Sequence, residues 1–114
     1  MLIAMRRKET FLPSTLDALM ILGVQIAAAR RELGWTAAEL AERVGVSAPL
    51  ISRIENGYPS TQIGAVFEAA VLVGIPLFGD DRSRLSATAR VERARLALLP
   101  ARVRKAPVVI RDDF

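Results

Sequence analysis

The chain of 114 residues contains no cysteine and no histidine. The first absence excludes disulfides, cysteine-ligated zinc and thiol catalysis, and it fits a cytoplasmic address. The second removes the commonest general base and the commonest metal ligand. No coherent acid–base or nucleophile set remains, so neither an enzyme nor a bound metal or cofactor is expected. Long apolar runs are also missing. The apolar uncharged stretches 18–29 and 69–79 fall short of the ~20 residues that cross a bilayer. The opening MLIAMRRKE places its charges after its apolar residues, the reverse of a secretory signal. Residues 1–13, ending at Pro13, read as a flexible leader, with Met5 as an alternative start.

What is present points to a folded chain. Hydrophobic residues make up 52%, too many for a disordered one. The length suits one domain with a modest core that gains stability from a partner subunit. Net charge is +4. The basic excess is arginine, whose forked donors suit phosphate, although such an excess also occurs in proteins that bind no nucleic acid.

Periodicity predicts an all-α fold of five helices, near 15–33, 36–44, 47–56, 61–73 and 81–99. Leu19, Leu22, Ile26, Ala29 and Leu33 mark one face of the first helix, and Gly34 stops it. Thr36 and Glu39 have capping-box spacing, with Trp35 and Leu40 at staple positions. Gly45 ends the second helix. Ser47 caps the third, which tolerates Pro49 in its first turn and ends at Asn56-Gly57. The fourth helix carries Ile63, Val66, Phe67 and Ala70 at helical spacing, and Ile75, Leu77 and Phe78 are expected to fold back on the core. Asp80 and Asp81 stand where the last helix would begin, a favourable place for anions. Residues 82–105 hold eight basic side chains against the single acid Glu92.

The pair of short helices joined by Gly45-Val46-Ser47 is the informative unit. Ala41 supplies the small residue that a close helix crossing needs, and Gly45 the left-handed turn. Leu40, Val44, Val46, Ile51 and Ile54 supply apolar anchors. Ala48, Pro49, Ser52, Arg53 and Asn56 form the free face of the second helix, whose start would enter a DNA major groove.

The stretch 22–70, with its A-E-L-A, G-V-S and I-S-R-I-E-N-G blocks, resembles the Cro and phage-repressor-like (XRE-type) helix-turn-helix family. That resemblance implies a sequence-specific, homodimeric DNA-binding repressor acting on an inverted-repeat operator. It places Ser47, Ala48, Pro49 and Arg53 at groove-facing positions and Thr36 and Ala37 at the backbone-gripping start of the preceding helix. It also implies an architectural pair, Arg30 with Glu55. Arg53 has the donors to bond guanine O6 and N7 together, whereas Ser47 and Ser52 discriminate little. Ala37 stands where many relatives carry glutamine, and Pro49 where a hydrogen-bonding residue is common. Both departures shift weight toward DNA shape.

Beyond that stretch, V-G-I-P-L-F and the arginine-rich helix ending in L-A-L-L-P resemble HipB-type antitoxins. This second resemblance implies an autorepressor that also holds a HipA-like kinase toxin. The alternatives are a stand-alone or phage-type repressor, or an interaction adaptor that no longer binds DNA. The expected layout is a leader over 1–13, a DNA-binding domain over 14–79 and an arginine-rich helix and tail over 80–114. Arg43 either meets a phosphate or is simply solvated. The basic stretch binds DNA, meets a partner or solubilises its helix. The β-branched run after Pro107 reads either as a dimerising strand over Pro107–Arg111 or as disorder. Without such a strand, the segment Val71–Phe78 and the last helix would form the dimer face.

Overall fold

A computed structural model describes residues 10–105. Five helices run in order: α1 Pro13–Glu32, α2 Ala37–Val44, α3 Ala48–Glu55, α4 Ile63–Leu72 and α5 Leu85–Ala97. The fold is all-α, as the periodicity requires. The tail over 107–111 and the leader up to residue 9 lie outside the described residues. The described chain forms two compact units divided between Ser83 and Arg84. The first holds α1 to α4 and the second holds α5. Among the described residues no helix is long and apolar enough to cross a membrane.

Each short helix begins where its cap dictates. At α2 the Glu39 N–H donates to the Thr36 hydroxyl at 3.0 Å, and the Thr36 N–H donates to the Glu39 carboxylate at 2.8 Å. This satisfies two of the donors that a helix start leaves open. At α3 the Leu50 N–H donates to the Ser47 hydroxyl at 3.3 Å. Pro13 is the first residue of α1 and not the last of the leader, a position where its missing N–H costs nothing. Gly45 closes α2 with φ of 86°, and its N–H donates to the Ala41 carbonyl. A side chain there would meet the steric cost of the left-handed region.

The core sits where α1, α2 and α3 meet. Ile26, Leu40 and Ile51 are fully buried, with Ala41 and Ile54 beside them. The buried residues of α1 are Gly23, Ile26 and Arg30, three and four apart on one face. Gly23 is there because nothing larger fits. A Cβ at that position would lie 2.6 Å from the Ile54 carbonyl oxygen and 2.7 Å from that of Glu55. Gly57, just past α3, is held as closely: its Cβ would stand 3.0 Å from the Met20 Cα. The backbone of α1 therefore passes directly against the C-terminal turn of α3.

Several sequence expectations are corrected. Leu33 is 49% exposed, because α1 ends at Glu32 and the chain turns away before the apolar face reaches it. On α4 the residues turned inward are Ala65, Ala69 and Ala70, while Ile63 is 70% exposed. The small alanines let α4 approach its neighbours closely. Ile63 lines, with Leu19, Leu22, Val66 and Phe67, an apolar groove between α1 and α4. Leu77 is buried, as expected, but Phe78 is 78% exposed. It sits at φ of 55° in a tight turn where Leu77 and Asp80 exchange N–H donors at 3.1 and 2.9 Å, and its ring meets Phe67 edge-on at 6.0 Å. That turn also moves the start of the last helix from 81 to Leu85. Asp80 belongs to the turn, and Asp81 accepts the Ser83 hydroxyl proton at 2.7 Å.

The Gly23 packing yields a test. Alanine is the better helix former, by about 1 kcal/mol. Gly23→Ala should nevertheless lower stability by about 2 kcal/mol, because backbone carbonyls must move to admit the methyl group. Thermal unfolding of the two proteins would show it.

Candidate nucleic-acid interface

The face of α3 turned from the core is built on a rigid inner side. Ile51 and Ile54 are buried beneath it, and Leu50 is half-buried. On the outer side Pro49, Ser52, Arg53 and Asn56 are exposed, with Ala48 half-buried beside them. Ser47 stands exposed at the N-cap, its oxygen engaged by Leu50 and its hydroxyl proton still available. The Asn56 amide turns back along the helix and donates to the Ser52 carbonyl at 2.7 Å. The same nitrogen reaches the Ser52 hydroxyl oxygen at 3.5 Å, so the carbonyl oxygen is the end without a hydrogen bond. Arg53 is thus the one exposed cationic side chain of this face.

Three hydrogen bonds from one guanidinium hold the face in place. Arg30 Nε and Nη2 donate to the two Glu55 carboxylate oxygens at 2.6 and 3.0 Å, and Nη1 donates to the Trp35 carbonyl at 2.7 Å. Both side chains of the ion pair are about 10% exposed. The pair ties the last turn of α1 to the end of α3 and, through Trp35, to the residue that precedes the α2 cap. Hydrogen bonding to Glu55 raises the Arg30 pKa above its ordinary range, against the opposing effect of burial.

Thr36 and Ala37 stand at the start of α2. The capping box consumes the Thr36 and Glu39 N–H groups and leaves those of Ala37 and Ala38 as the open donors of this helix end. The bonds from the Thr36 backbone and side chain hold the Glu39 carboxyl below its usual pKa. Arg43 is exposed but is not simply solvated. Its guanidinium lies 4.1 Å from the Trp35 ring centre, a stacked cation–π geometry. The sequence offered no signal for this contact, since the partners lie eight residues apart across a helix start. Gly23 did leave a signal, an isolated glycine inside an apolar helical pattern, though its meaning needed the fold.

Two short helices, a left-handed glycine turn between them and a polar outer face on the second are now all in view. Residues 26–78 match the family model described as helix-turn-helix. This stretch has an all-α, Cro/repressor-like helix-turn-helix fold. No curated protein and no solved structure matches the chain. The domain contains the whole α2–α3 unit and α4, and it supports a DNA-binding transcription regulator.

The ion pair and the cap can each be tested. Arg30→Met strands the Glu55 carboxylate and should cost about 3 kcal/mol of stability. In a double-mutant cycle with Glu55→Leu much of that loss should be coupling between the two sites. The Glu39 pKa is depressed by folding, so its contribution is present above the ordinary carboxylate range. It is lost as the pH falls through the depressed value. Glu39→Gln keeps a capping acceptor and should flatten that acid-side loss in a series of melts taken at falling pH.

Proposed function

We propose that this chain is a sequence-specific transcriptional repressor that binds an inverted-repeat operator as a homodimer, with α3 in the major groove. The observation that carries the reading is the exposed outer face of α3, with Arg53 exposed on it. Arg30 bonds the end of that helix, and the α1 backbone lies against it. A recognition helix must be held this firmly for a single side chain to discriminate bases. The direct readers are Arg53 and the shorter Ser47 and Ser52, with Ala48 and Pro49 offering apolar contact to a thymine methyl. Asn56 has its carbonyl oxygen to offer, and Thr36 and Ala37 grip the backbone. Two such helices on a two-fold dimer would meet half-sites roughly 34–36 Å apart.

The finer reading is that the repressor is also the antitoxin of a HipA-like kinase and controls its own transcription in the cytoplasm. It is supported by the resemblance of 73–78 and of the arginine-rich helix to HipB-type proteins. The discriminating observation is a HipA-like kinase gene beside this one whose product co-purifies with the chain. Absence of such a partner would leave the stand-alone repressor.

Base recognition is tested directly at Arg53. Arg53→Ala should cost roughly 1–3 kcal/mol of operator affinity and relax the preference at one position per half-site. The measurement is selection of preferred sites from a random duplex library by both proteins. An identical preference profile would remove Arg53 from the reading set.

A further inference from the structure

The charges of this chain are distributed against the expectation for a DNA-binding domain. Residues 10–83, which include the entire helix-turn-helix, hold five arginines and eight carboxylates. The few cations are mostly committed. Arg30 is tied to Glu55 and Arg43 lies on Trp35, while Arg53 belongs to the reading face. A domain of net negative charge is repelled by a duplex that carries one phosphate charge per ~1.7 Å of axis. Residues 84–105 reverse the balance, with seven basic side chains and one carboxylate.

The form of this second unit suits a phosphate backbone. No residue of α5 is buried. Ser86, Arg90, Arg93 and Ala97 recur at steps of four, three and four and share one side of the helix. The Arg90 guanidinium donates to the Ser86 hydroxyl at 3.2 Å, which holds it along that side. The neighbours on this side are small, so a phosphate can approach the arginines without meeting a bulky apolar group. Arg102, Arg104 and Lys105 follow beyond Pro100, all exposed. Among the described residues, no carboxylate lies within salt-bridge reach of Arg93, Arg102, Arg104 or Lys105. A helix of this length with nothing buried is marginal in water by itself, and fixed phosphate charges would favour its ordered form.

We propose that residues 84–105 form a second, sequence-independent contact with the phosphate backbone of the DNA that α3 reads. The inference rests on the repressor reading and adds a division of labour. The helix-turn-helix selects the sequence, and the basic unit supplies the counterion release that a net-negative domain lacks. Covalent attachment keeps the basic unit at high effective concentration once α3 is engaged.

The experiment compares the full chain with the combined variant Arg93→Gln, Arg102→Gln, Arg104→Gln and Lys105→Gln. Glutamine keeps helix propensity, and circular dichroism checks that the helical signal is retained. Affinity is measured against salt concentration on two probes, a mixed-sequence duplex and a duplex from the site selection above. The variant should bind both more weakly, with the slope of log affinity against log salt shallower by roughly 2 to 4. Its preferred sequence should be that of the unsubstituted chain. An unchanged slope would overturn the proposal and assign the basic unit to an acidic protein surface. A changed base preference would also overturn it, because the segment would then be reading sequence. Failure of the unsubstituted chain to bind either duplex would remove the repressor reading itself, an outcome distinct from both.

Discussion

The near-contact of the α1 backbone with the last turn of α3 is the constraint on which the rest of this domain depends. It exists because Gly23 presents no side chain to the carbonyls of Ile54 and Glu55. Seven residues further on, and therefore on the same side of α1, Arg30 reaches the Glu55 side chain. The two interactions reinforce each other. Close backbone approach brings the guanidinium within bonding distance, and the bidentate bond fixes rotation of α3 about its own axis. Rotation is the variable that matters, because it decides which side chains face away from the core.

A buried ion pair is a weak source of net stability but a strong source of geometric definition when every donor is placed. Arg30 has its third donor group on the Trp35 carbonyl, so the same guanidinium also sets where α2 starts. Trp35 in turn receives Arg43 on its ring face. The consequence is electrostatic as well as mechanical. Two of the domain's arginines are spent on architecture, and its outward cationic character is reduced by as much. A helix-turn-helix built this way is well ordered and poorly charged, and that combination gives the basic residues after Ser83 their significance.

Local features of this fold were legible because they are written within four residues of one another. The Thr36–Glu39 box, the Ser47 cap, the left-handed Gly45 and the inward Leu40, Ile51 and Ile54 all follow from spacing alone. Errors arose where an apolar residue had to choose between neighbours distant in sequence. Ile63 fits the helical template of α4, yet the alanines on the adjacent face give the closer packing and take the interior. Phe78 is apolar, yet the reciprocal hydrogen bonds of Leu77 and Asp80 place it at the tip of a turn. The same turn claims Asp80, which the preference of anions for a helix start would place at the beginning of α5. On the outer face of α3 the sequence indicated which residues are exposed. It could not show that the Asn56 amide is occupied by the Ser52 carbonyl, since that depends on a rotamer.

The composition of that face bears on how the proposed recognition would work. Ala48 and Pro49 contribute no side-chain hydrogen bonds, and the Asn56 amide nitrogen is bonded back to Ser52. Direct readout of this kind rests heavily on Arg53, and one bidentate contact per half-site discriminates weakly over a whole operator. The remaining selectivity would have to come from the energy of deforming the duplex. Deformation is read only by a protein that grips the backbone at several points while it holds the bases. A net-negative domain has few means to do so. A sparse reading face and a separate cationic unit are therefore matched features: the less sequence information α3 takes from base edges, the more the protein depends on phosphate contacts made outside the helix-turn-helix.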